Sequence, residues 1–228
     1  MLVGNIPLEL GNLTSLRVID FAYNYLSGAI PYNLGNLKAM KFAHKIFYNT
    51  KVALAIYDKI SFDFVDNMEI LYMVSNKLLR GYMDNVNVYL KGRNIQYDKL
   101  LQLLISIDLS RNQLSRKIPE EVMNLSYLQN LNLSRNLLTG RIPDKIGTLL
   151  RLESLDLSKN DLSSAIPTTM IMLSFLSHPN LSYNNLSRRI PDSGRFLALS
   201  DPSIYFGNYA FCGFPLDNDC ENVDKPSL

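Results

Sequence analysis

Ile107-Asp108-Leu109-Ser110-Arg111-Asn112 returns further along the chain as Leu155-Asp156-Leu157-Ser158-Lys159-Asn160. The asparagine that closes each stretch keeps a period of 24 residues, at Asn112, Asn136, Asn160 and Asn184, and an Ile-Pro pair follows each, ending at Pro119, Pro143, Pro167 and Pro191. An internal repeat of fixed length means a stack of like units, with function to be sought on the surfaces of the stack.

Working outward from the asparagines, Leu109, Leu133, Leu157 and Leu181 fill one column, Leu125, Leu149 and Leu173 a second, and Leu128, Leu152 and Leu176 a third. Two apolar residues flanking a polar one, as in Leu131-Asn132-Leu133, suit a short strand with its apolar side chains inward. One such strand per unit builds a parallel sheet on the concave side of a solenoid. Where the strand ends, backbone groups lose their ladder partners, and a side-chain amide that donates and accepts can satisfy them, so the asparagine column reads as scaffold. Gly28-Ala29-Ile30-Pro31 and Gly140-Arg141-Ile142-Pro143 turn the chain toward the outer side of the coil.

Leu13, Leu16, Ile19, Phe21, Asn24 and Leu26 obey the same rule, and Met1 to Pro7 reads as the tail of an earlier unit. Asn112 stands 88 positions after Asn24, one period of 24 plus 64 extra. The register therefore breaks after Met40 and resumes at Leu104. The insertion carries six tyrosines, Tyr48, Tyr57, Tyr72, Tyr82, Tyr89 and Tyr97, and no proline. It is too apolar and aromatic for a linker, and the alternation around Val86, Val88 and Leu90 predicts one strand running into a turn at Gly92.

With these columns in view the chain resembles the plant-specific class of leucine-rich repeats. The stretch from Ile107 to Cys220, closing on Phe206-Gly207-Asn208-Tyr209-Ala210-Phe211-Cys212-Gly213-Phe214-Pro215-Leu216, is similar to the membrane-proximal ectodomain of plant leucine-rich-repeat receptor-like proteins. The fold expected is an α/β-type solenoid, a right-handed superhelix with short parallel strands on its concave face, interrupted by an irregular island. Its expected parts are repeats over 1–40, an island insertion over 41–103, four repeats over 104–191 and a C-terminal cap over 192–228. Tyr89-Leu90-Lys91-Gly92-Arg93 up to Tyr97 resembles the island's final segment.

The resemblance implies a non-catalytic recognition module on the extracellular face of the cell membrane. It would bind a peptide or protein ligand and a co-receptor kinase of the somatic-embryogenesis type, in defence or developmental signalling. Two rivals use the same repeats: a secreted inhibitor of a microbial wall-degrading enzyme, which resembles an uninterrupted solenoid, and the ectodomain of a hormone-binding receptor kinase. The reading frame beyond Leu228 separates them, since a span with a short tail marks the receptor-like protein and a kinase domain marks the receptor kinase.

Composition narrows the classes. Net charge is only +2, and no basic run interleaved with aromatics tracks a phosphate backbone, so nucleic acid is not a favoured partner. No apolar run approaches the length of a membrane span, and Met1 to Pro7 is repeat sequence rather than a leader. The chain thus reads as a fragment whose membrane link is an anchor outside it, with Leu2, Ile6, Leu10 and Leu13 expected to form an apolar patch at its first coil.

Cys212 and Cys220 stand eight apart past the last repeat, where a disulfide would close a small loop and pin a cap, contributing about 2 to 3 kcal/mol. Two cysteines without histidines nearby fall short of a structural zinc site, and no cofactor is implied. The sequons at Asn12, Asn124, Asn132, Asn180 and Asn185 fit N-glycosylation. His44 and His178 lack a nearby nucleophile or ligand cluster, so no catalytic constellation is expected.

Binding is expected on the outward ladders of the strands: Ser106, Asn130, Ser154 and His178; Asp108, Asn132, Asp156 and Asn180; Arg111, Arg135, Lys159 and Tyr183. Preorganised groups on a rigid sheet suit an extended partner, and the island residues Tyr89, Lys91, Arg93 and Tyr97 are expected to join them. Ser110, Ser134, Ser158 and Ser182 are expected to serve the backbone. Pro179, in the column of Ile107, Leu131 and Leu155, is expected to weaken its strand, and Arg116, Ser164 and Arg188 replace the repeat glycine of Gly4, Gly28 and Gly140.

Overall fold

The computed structural model describes residues 1–42, 86–90, 93–97 and 104–220, with backbone alone for the two short segments. In chain order its strands are β1 (Val3–Asn5), β2 (Val18–Asp20), β3 (Tyr25–Ala29), β4 (Val86–Leu90), β5 (Arg93–Tyr97), β6 (Ser106–Asp108) and β7 (Gln113–Arg116). There follow β8 (Asn130–Asn132), β9 (Leu137–Gly140), β10 (Ser154–Asp156), β11 (Asp161–Ser164), β12 (His178–Asn180), β13 (Asn185–Arg189) and β14 (Ala210–Cys212).

Three-residue strands one period apart stack in parallel as the inner sheet, in the order β12-β10-β8-β6-β2. Register follows the repeat: Ile107 opposes Leu131, and Leu155 opposes Leu131 on one side and Pro179 on the other. The leucine columns are buried to 0–1% exposure, in one continuous core that runs from Ile6 to Phe211.

Each asparagine joins two coils. Asn136 donates through Nδ2 to the carbonyls of Leu133 and Ser134 in its own coil and of Leu109 in the coil before, while its Oδ1 accepts from the amide of Leu114. Asn112, Asn160 and Asn184 repeat this pattern. Asn208 extends the column into the cap, donating to Leu181 and Tyr205 and accepting from Leu186. Sequence reading had not counted it.

The insertion does not interrupt the stack. Asn112 donates to the Phe21 carbonyl at 2.9 Å and accepts from the Leu26 amide at 2.9 Å, so the coil before the insertion and the coil after it are neighbours. β2 pairs with β6 and β3 with β7 as if the chain were continuous, and a Cβ on Gly35 would collide with the Glu121 carbonyl. Ser126 Oγ donates to the Lys41 carbonyl at 2.8 Å, tying the chain to the solenoid up to that residue. Of the insertion, β4 and β5 form an antiparallel hairpin. The second strand was not expected, and Tyr48, Tyr57, Tyr72, Tyr82, Lys91, Gly92 and His44 lie outside the described residues.

A second sheet, β1-β3-β7-β9-β11-β13-β14, runs along the coils where the sequence suggested only a turn. From β1 to β13 its strands end at the repeat-glycine position or one residue past it, and that position is left-handed: φ is 88° at Gly4, 77° at Gly28 and 79° at Gly140. Arg116, Ser164 and Arg188 hold the same conformation, with φ of 70°, 76° and 76°, although a Cβ disfavours it. Beyond this sheet each Pro of an Ile-Pro pair, from Pro7 to Pro167, precedes a five-residue 3-10 helix, such as Asp144–Thr148 after Pro143. The fixed φ of proline suits that entry.

Two expectations about packing change. Pro179 is buried in the apolar column, but β12 is the edge of the inner sheet. Inward-facing residues donate toward the following coil, as Leu133 does to Asp156 and Leu157 to Asn180. Next to β12 that coil offers a 3-10 turn, Pro202–Ile204, and no strand, so the missing N–H of Pro179 breaks no ladder bond. At the first coil Leu2 and Leu13 are each 51% exposed and Leu10 is half-buried, but Ile6 is buried in the core rather than part of an apolar patch.

Past the last repeat Cys212 and Cys220 are joined by a disulfide, and no cysteine is left free. Tyr205 and Phe211 pack edge to face at 6.0 Å under this cap, and burial pushes the Tyr205 hydroxyl pKa upward.

Candidate recognition face

The Asx column of the inner sheet has a structural duty. Oδ1 of Asp108, Asn132, Asp156 and Asn180 each accepts the amide two residues on, from Ser110, Ser134, Ser158 and Ser182. This Asx turn bends the chain off the strand. The serines serve it in return: Ser134 and Ser182 donate their hydroxyls to Asn132 and Asn180, not to the backbone as expected.

Cross-links close the first rungs. Asn132 Nδ2 donates to Asp108 Oδ2 at 2.9 Å and Asn130 Nδ2 to Ser106 Oγ at 2.8 Å, and all four residues are buried. Asp108 and Asn132, expected to meet a partner, are therefore bonded inside the face. Burial raises the Asp108 pKa, opposed by hydrogen bonds from Ser110 and Asn132 and helped slightly by Asp20, its neighbour across the β2–β6 pair. The sequon at Asn132 is corrected by the same geometry: its Nδ2 is occupied and the residue is only 6% exposed, which leaves a glycan no room. Asn12, Asn124 and Asn185 are exposed, and Asn180 is half-buried.

One residue before each ladder asparagine stands a different column. Tyr23, Arg111, Arg135, Lys159 and Tyr183 follow one another in adjacent coils, all exposed and all left-handed, with φ between 54° and 58°. Backbone bonds fix their spacing: Arg111 N donates to Ser134 O, Arg135 N to Ser158 O and Lys159 N to Ser182 O, at 2.8–2.9 Å. Arg111 lies over the Tyr23 ring at 4.4 Å and Lys159 over the Tyr183 ring at 5.2 Å, a cation–π contact at each end of the row. None of the three cations is ion-paired with a carboxylate among the described residues. Like charges about 4.8 Å apart per coil make a positive stripe. The ladder expected from sequence holds Arg111, Arg135, Lys159 and Tyr183; the structure adds Tyr23, from the coil before the insertion, at its other end.

Of the other expected residues, Asp156 is half-buried, and His178 is exposed with its Nδ1 2.7 Å from Ser177 Oγ. Tyr89 opposes Asn94 in the hairpin, Arg93 opposes Leu90 and Tyr97 opposes Val86. Among the described residues no group of three or more His, Cys, Asp or Glu side chains gathers around a metal position, and no helix is long and apolar enough to cross a membrane.

The Leucine Rich Repeat family profile matches residues 15–37, 103–125, 127–149 and 151–173. Among solved structures, the Arabidopsis receptor kinase HAESA, crystallised with the peptide hormone IDA and the co-receptor SERK1, is 30% identical with a TM-score of 0.59, over 96% of this chain and 25% of that one. The plant peptide hormone receptor RGFR1, in complex with RGF2, is 28% identical with a TM-score of 0.55, over 84% of this chain and 20% of that one. A TDR receptor is 26% identical with a TM-score of 0.54, over 83% and 22%. The chain spans about a fifth to a quarter of the length of these receptors. No curated protein sequence matches it significantly. Repeat profile, ladder geometry and structural likeness agree: the chain carries leucine-rich repeats, and their solenoid is similar to those of plant receptors.

Proposed function

We propose that the chain is a non-catalytic recognition module of a plant receptor-like protein, acting on the extracellular face of the cell membrane. Its ligand is an extended peptide or protein segment, and its second partner a co-receptor kinase of the somatic-embryogenesis type. The observation that carries the reading is the stripe Arg111, Arg135 and Lys159, exposed, without ion pairs among the described residues and flanked by Tyr23 and Tyr183. Unneutralised charges held on a rigid backbone lose little entropy on binding and favour a segment bearing carboxylates at the same spacing. Support comes also from the named complexes, in which HAESA holds a peptide hormone together with SERK1 and RGFR1 holds RGF2.

In this reading residues 41–103 form an island that contributes Tyr89, Lys91, Arg93 and Tyr97, the repeats over 104–191 contribute the ladders, and the cap over 192–228 closes the stack. The complex with a receptor kinase gives weight to the second reading, the ectodomain of a hormone-binding receptor kinase, which shares the recognition face. Deleting residues 41–103 from the full-length protein tests the island. Binding of the SERK1 ectodomain, measured by co-precipitation from plant cells, is expected to be lost while the repeats stay folded by circular dichroism. Undiminished association would remove the island from the function.

A further inference from the structure

The five sequons divide by what their asparagines already do. Asn132 is buried and donates Nδ2 to Asp108, and Asn180 is half-buried in an Asx turn, its Oδ1 accepting the Ser182 amide and hydroxyl. Asn185, at the head of β13, is exposed, and no hydrogen bond involves its side chain among the described residues. Two exposed aromatic rings stand on its cap side. Tyr183, two residues earlier, is 54% exposed, and a Cβ on Gly207 would come within 2.6 Å of its Cδ1, so the ring lies over the cap backbone. Tyr209, one repeat period after Asn185, is 97% exposed. The Leu186 amide donates to Oδ1 of Asn208 at 3.0 Å, which holds the residue after Asn185 against the residue before Tyr209.

Rings this exposed gain nothing from the core and leave apolar surface in water. A sugar covers such surface well, because the C–H face of a pyranose packs on an aromatic ring whose negative face attracts the polarised hydrogens. We propose that Asn185 carries an N-linked glycan whose first N-acetylglucosamine packs against Tyr183 and Tyr209. In the modification Nδ2 of Asn185 bonds to the anomeric carbon of an oligosaccharide. The lipid pyrophosphate that carried the sugar leaves with the bonding pair, and one Nδ2 proton passes to a base of the transferring enzyme. A glycan at this place borders the positive stripe at Tyr183 and sets its limit on the cap side. Asn12 and Asn124, exposed at the last residue of their 3-10 helices, lie in other coils and serve as internal controls. The inference rests on the extracellular placement proposed above and uses neither the stripe's charge nor the island.

The full chain, directed into the secretory pathway of plant cells, is to be deglycosylated enzymatically in heavy-oxygen water and its peptides weighed by mass spectrometry. Asn185 is expected to be converted to labelled aspartate and Asn132 to remain asparagine. An unlabelled Asn185 would overturn the site, and because the pathway has been supplied, that result would leave the reading of the recognition face untouched. The packing is tested by melting. Asn185→Gln, which keeps an exposed amide and removes the acceptor, is expected to lower the melting temperature by about 2 °C, the scale of one aromatic contact. In the Tyr183→Ala, Tyr209→Ala background the same substitution should change nothing, while the glycans at Asn12 and Asn124 stay as they are in the parent. No shift in the parent, or an equal shift in both backgrounds, would overturn the contact with the tyrosines. If the double background fails to fold, the labelling and the Asn185→Gln shift in the parent still decide.

Discussion

Two neighbouring columns of one repeat, the asparagines at 112, 136, 160 and 184 and the residues just before them, share a backbone turn and diverge in role. Each asparagine is enclosed by the carbonyls and amide of two coils. Each residue before it is exposed, with a left-handed φ near 55°, and the side-chain contacts between neighbours in this column are the cation–π pairs Arg111–Tyr23 and Lys159–Tyr183. The first column is identical in every unit because its hydrogen bonds leave one solution; the second reads Arg, Arg, Lys, Tyr because only its backbone is fixed. Within a repeat protein, identity between units marks scaffold and variation marks the surface free to recognise a partner.

The sharpest way to break this contrast is to truncate both columns in the same coil. Asn136→Ala removes four hydrogen bonds and strands buried backbone groups, with an expected loss of about 3 to 5 kcal/mol in urea unfolding. Arg135→Ala should stay within about 0.5 kcal/mol of the parent. Similar losses from both would end the distinction between scaffold and surface.

Next in size is the cap over the last scaffold asparagine, Asn208. Replacing Cys212 and Cys220 by serine opens the loop and is expected to cost about 2.5 kcal/mol by chain entropy; an unchanged melting temperature would show that Asn208 and the Tyr205–Phe211 packing hold the cap unaided.

The outer sheet offers a third test, since it too has a left-handed position, filled by glycine in some coils and by larger residues in others. Arg116→Gly and Ser164→Gly should each stabilise by about 1 kcal/mol, because the strain of a Cβ at φ of 70° and 76° is removed. Smallest is the effect of charge beneath the face. The folded Asp108 pKa is raised, so the folded state binds more protons than the unfolded one between the ordinary aspartate value and the raised value. Stability therefore falls as pH rises through that window. Asp20→Asn, which keeps the bond to the Ala22 amide, should lower the Asp108 pKa and shrink the fall, as an NMR titration of Asp108 would record.

Sequence revealed most where a residue type had a single physical use. The asparagine and leucine columns and the Cys212–Cys220 link were legible because period and spacing left few alternatives. The continuity of the stack was not, since an interruption was expected and only the bond from Asn112 to the Phe21 carbonyl shows the coils on either side of the insertion to be neighbours. Asn208 escaped because its coil lacks the leucines that flag the others, although it keeps the period. The outer sheet escaped because its strands are only three to five residues long and Gln113–Arg116 buries a single side chain, Leu114, too little for an alternation to show. On the inner face, outward was equated with exposed. Asp108 and Asn132 point outward from the core and are nevertheless buried, because neighbouring rungs bond to one another. Pro179 looked like a defect until the edge position of β12 showed that its missing donor had no acceptor to lose.

Isothermal titration of the full chain with hexaglutamate, set beside the same titration of the Arg111→Glu, Arg135→Glu, Lys159→Glu variant, tests most directly whether the variable column is the recognition surface. The parent is expected to bind with an affinity that falls as salt is added, through screening of exposed charges, and the variant to lose binding while its melting temperature stays within about 2 °C, as surface substitutions allow. Equal affinities for parent and variant, or a variant that unfolds with the loss of these three side chains, would contradict the assignment.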